Sequence, residues 1–89
     1  MAFLDDALKH AGANKDRHLT EYQELLGMPS ISTLPENRVD VERTAAWLAQ
    51  QLRDLHMENV EIMPTDCHPV VYGEWLKAPG KPTILVYGH

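Results

Sequence analysis

The chain has 89 residues, 24% of them charged and 44% hydrophobic, with a net charge of −5 counting histidine as neutral. A chain of this length buries only roughly 60–65% of its unfolded surface, and this composition is that of an ordinary globular segment rather than a disordered one. Lysine and arginine nowhere cluster, which argues against nucleic acid or an anionic membrane surface as a partner. Cys67 is the single cysteine, so no internal disulfide can form, and a reducing, cytoplasmic setting is the simplest expectation. The N-terminus has no basic segment followed by an apolar one, as a signal peptide would, and no apolar run approaches the ~20 residues that span a bilayer.

Residues 2–27 are helical in character. Leu4, Leu8 and Ala11 fall at helical spacing, as do Leu19, Tyr22 and Leu26, while Gly12 and Asn14 between the sets can bend or split the helix. Gly27 stands where a C-terminal cap is expected, with Pro29 two residues on. Residues 27–39 form a loop punctuated by Pro29, Ser30, Ser32, Pro35 and Asn37. Ser30 and Ser32 have no nucleophile-elbow context and serve local backbone groups.

A further helix is expected over about 40–55, with Asp40 as N-cap and Glu42 in the first turn. Val41, Ala45, Leu48, Leu52 and Leu55 make one apolar stripe, with Trp47 at its edge. The pattern then changes period. Residues 59–63 alternate as a short half-buried strand, and 69–76 form a second strand rich in β-branched and aromatic residues. Gly73 within that strand marks a bulge or a close backbone approach. Lys77 to Pro82 is a turn with Pro-Gly at its centre, and Thr83 to Tyr87 is a third, continuously apolar strand. The short turn favours an antiparallel hairpin of the second and third strands. The expected fold is α/β in the order α-α-β-β-β, with the material that covers the far face of strand 83–87 lying outside the chain.

His89 is the first candidate for chemistry. Ligands gather at the carboxyl ends of strands in open α/β sheets, and a histidine just past a buried strand and a glycine suits a zinc ligand. The alternative is a residue with no role. His10 and His18, eight residues apart on a helix, read as solvated side chains too far apart to chelate one ion. His56 reads as a helix-capping residue. The Asp66-Cys67-His68 run points consecutive side chains apart and offers neither a metal site nor a Cys–His nucleophile; Cys67 reads as a semi-buried structural thiol.

Three stretches taken together, ELLGMPSIST, ENVEIMPTDCHPVVYGEW and GKPTILVYGH, resemble the N-terminal part of the M20 family of zinc peptidases, nearest to its dipeptidase and carnosinase-like branch. The resemblance runs from about Leu19 to His89. It implies an α/β catalytic domain that holds two metal ions, usually zinc, and a smaller inserted α+β domain that commonly makes a homodimer. His89 matches the histidine of the family's His-x-Asp metal motif. On this reading residues 1–89 are the N-terminal segment of the catalytic domain, with its remainder and the dimerisation domain absent. The Asp of the motif, the bridging Asp, the glutamate base and the later ligands have no counterpart among the 89 residues. Relatives commonly carry Gly where this chain has His56, and histidine tolerates the left-handed backbone such a position demands better than most residues. The resemblance implies metal-dependent hydrolysis of amide bonds in dipeptides or N-acyl amino acids by the parent protein. The 89 residues supply scaffold and one ligand, bind no zinc tightly alone and have no activity alone. The rival from another class is a non-catalytic α/β interaction or structural module.

Overall fold

The computed structural model describes residues 2–89 as two compact units, one up to Thr44 and one from Ala45 to His89. The elements in chain order are α1 (Ala2–Ala13), α2 (Lys15–Leu26), a 3-10 turn (Pro35–Asn37), α3 (Arg38–Asp54), β1 (Glu58–Met63) and β2 (Val70–Glu74).

In the first unit, the expected N-terminal helical region is split at Asn14 and ends at Leu26. The backbone N–H of Asn14 still donates to His10 O at 3.1 Å, and that of His18 to Asn14 O at 2.9 Å. The Asn14 side chain also donates to His10 O at 2.9 Å, so it competes for a carbonyl of the helix and marks the break. Gly27 caps α2 with right-handed backbone, φ −73°, and its N–H donates to Gln23 O at 3.0 Å. The position of this cap follows the sequence reading, but its glycine is not used for a left-handed turn.

Asp40 is not the N-cap of α3. The helix starts two residues earlier at Arg38, because Pro35 opens a 3-10 turn that runs directly into it. Asp40 lies in the first turn, where its carboxylate accepts from Asn37 Nδ2 at 2.9 Å and faces Arg43 at 3.7 Å. Asn37 Nδ2 also donates to Pro29 O at 3.2 Å, which ties the 27–34 loop to the start of the helix.

Among the described residues the buried set is Thr44, Ala45 and Ala49, with Ala49 0% exposed. Thr44 satisfies its hydroxyl on Asp40 O at 2.8 Å. Val41, Leu48 and Leu52 of the expected stripe are half-buried, but the buried line is centred on the small residues beside them. Leu55 is 67% exposed, because the helix has already ended.

That ending is a Schellman motif. Met57 N–H donates to Leu52 O at 3.1 Å and His56 N–H to Arg53 O at 2.9 Å, with His56 at φ +61°. The reversal feeds β1, which pairs antiparallel with β2 through Glu61↔Tyr72, Ile62↔Val71 and Met63↔Val70. The next pair is Glu58↔Glu74, so Asn59 and Val60 together oppose the single residue Gly73. This is a β-bulge, and Asn59 at φ +50° occupies its left-handed position, which asparagine adopts more readily than most residues. Asn59 Nδ2 donates to Glu74 Oε1, and Lys77 Nζ pairs with Glu58 Oε1 at 3.0 Å. Each of the two opposed glutamates thereby has its own partner, which offsets the repulsion of like charges across a ladder.

Gly73 therefore fulfils both readings made for it. It faces the bulge, and a Cβ built on it lies 3.0 Å from Leu52 Cδ1 and 3.5 Å from Val60 Cγ2.

The expected hairpin of 69–76 with 83–87 is not formed. Pairing runs between β1 and β2 instead, and residues 82–89 carry no regular structure. The physical reason lies in the two connections. The β1–β2 loop is closed by Thr65, whose hydroxyl donates to His68 O and accepts from Cys67 N–H at 3.0 Å. The Ala78–Lys81 turn also forms, with Lys81 N–H donating to Ala78 O at 3.2 Å and Gly80 at φ +77°, as a Pro-Gly type II turn requires. Type II turns splay the flanking chains rather than twist them together as hairpin turns do. Ile84, Leu85, Val86 and Tyr87 are left 80–87% exposed.

Two substitutions test these joints. His56→Gly is expected to stabilise by about 0.5–1 kcal/mol and His56→Val to destabilise by about 1–2 kcal/mol, read from urea midpoints at unchanged slope. At position 73 the first obstacle is the end of a flexible, half-buried leucine. Gly73→Ala is therefore expected to lie within about 1 kcal/mol of the parent, whereas Gly73→Val, with branches aimed at Leu52 and Val60, costs about 1–3 kcal/mol.

Candidate functional site

The residue to which the sequence assigns chemistry, His89, follows the exposed 83–87 run and is itself exposed. Its ring lies 6.4 Å from that of Tyr87, tilted by 55°. The strand expected to deliver it is not present, so no sheet edge gathers other donors around it.

The remaining histidines are distributed along the chain. His56 holds the left-handed position that ends α3, as a capping residue should. His68 closes the β1–β2 loop through its carbonyl, which accepts from Thr65 Oγ1. Cys67 beside it is exposed, not semi-buried. His10 and His18 come closer than their spacing suggests. Eight residues of straight helix rise about 12 Å, yet the two rings are 6.4 Å apart across the break at Asn14. Arg17 lies beside His18, with Nη2 3.4 Å from His18 Nε2 and Nη1 donating to Glu21 at 2.7 Å. A guanidinium beside His18 opposes a cation there, and among the described residues no third donor joins the two histidines.

A zinc ion takes three or four donors at about 2.0–2.3 Å. Among the described residues no three His, Cys, Asp or Glu side chains are placed to hold one ion. His89 is one donor of the three or four that such a centre needs. Among the described residues, too, no helix is long and apolar enough to cross a membrane.

No family model matches the chain, and no solved structure matches it.

Zinc titration of the 89-residue chain against a chromophoric chelator is expected to show no saturable site, with His89→Ala indistinguishable from the parent. A stoichiometric site lost in the His89→Ala variant would show that the chain gathers further ligands itself.

Proposed function

We propose that these 89 residues serve as the N-terminal segment of the catalytic domain of an M20-like metallopeptidase, a cytoplasmic dipeptidase or a hydrolase of related small amides. The observation that carries the reading is the order of three matched stretches, ELLGMPSIST, ENVEIMPTDCHPVVYGEW and GKPTILVYGH, the last closing on the histidine of a metal motif.

The backbone at residue 56 is compatible with it. Where members of that family commonly carry glycine, this chain has a histidine at φ +61°. His56 departs from that glycine, and its left-handed backbone is compatible with it, because glycine is the residue that such a φ favours. The apolar run 83–87 supports it as well. Four consecutive large side chains stand 80–87% exposed, the pattern of a strand whose sheet neighbours are not among these residues.

In this proposal the chain's own work is positional. Helix α3 and the β1–β2 ribbon form scaffold, and the 83–87 run carries His89 toward a two-metal centre. The other ligands, the general base and the residues that choose the substrate belong to the parent protein, which is expected to be a homodimer acting on dipeptides or N-acyl amino acids. When bound, the two metal ions supply an activated water and a polarised carbonyl for amide hydrolysis.

The direct test is to read the coding sequence past the codon for His89. Any residue followed by Asp, and later by acidic ligands and a second His, is the expected continuation; a stop codon or an unrelated continuation overturns the reading. In the full-length protein His89→Ala is expected to lower zinc content. It should also reduce dipeptide hydrolysis by more than the roughly 10–100-fold typical of losing a mere supporting contact to a metal ligand.

A further inference from the structure

We draw no further inference here: the strongest candidate, the apolar surface that Leu4 and Leu8 of α1 and Leu19, Tyr22 and Leu26 of α2 leave exposed, carries nothing because nothing in the structure shows what covers it.

Discussion

The reversal of the chain between Leu52 and Met57 is the constraint on which the C-terminal unit depends. Leu52 has two tasks there. Its carbonyl accepts the Met57 N–H that closes the Schellman motif, and its side chain is the neighbour that a Cβ on Gly73 would meet. The helix end and the approach of β2 are thus fixed at one residue. An overrun of α3 by a single turn would consume Leu55 and His56 as helix. It would also displace Glu58, the first residue of the ladder, and with it the register that puts Gly73 opposite the bulge. The left-handed backbone at His56 and at Asn59, three residues apart, are two parts of one bend: the first stops the helix and the second turns the strand.

The polar contacts follow from this bend. Setting Glu58 opposite Glu74 is an electrostatic cost that the register imposes, and the chain answers it locally with Lys77 and with the asparagine of the bulge itself. The first unit is held by similarly short-range contacts. Asn37 ties Pro29 to Asp40, and Arg17 bonds to Glu21 within α2. These exposed pairs contribute little stability individually, and what they supply is choice of backbone path rather than a core.

Much of this was legible in the sequence, and the failures have identifiable causes. Hydrophobic spacing located α1, α2, α3, β1 and β2, because each signal is local to its own element. The start of α3 was misplaced because Asp40 resembles a cap, while the 3-10 turn opened by Pro35 leaves no gap for a cap to fill. Thr44 and Ala49 were missed as core because a stripe drawn through large side chains overlooks the small residues on which a helix actually seats. The left-handed position at 56 was found, since a helix end at that point demands it. The strand at 83–87 was not borne out, because propensity specifies a residue's readiness to pair and says nothing of the partner. The same gap separates His89 from a site. One ligand residue can be recognised from its neighbours in sequence, but a metal centre is an arrangement of several, and among the described residues no three such side chains are placed to hold one ion.

The bulged ribbon also has a consequence in time. Its most distant pair, Glu58↔Glu74, joins residues sixteen apart, and the loop it closes is fixed by Thr65 from within. Pairing at such short separation belongs to the fast class of folding events, a hairpin closing in about 1–10 μs, with helices faster still. Synthesis adds only about 5–20 residues each second. Once Glu74 has left the ribosome, α3 and its ribbon can therefore form and dissolve many thousands of times before Tyr87 emerges. The apolar run that follows emerges beside a scaffold already in place, rather than into an unstructured chain.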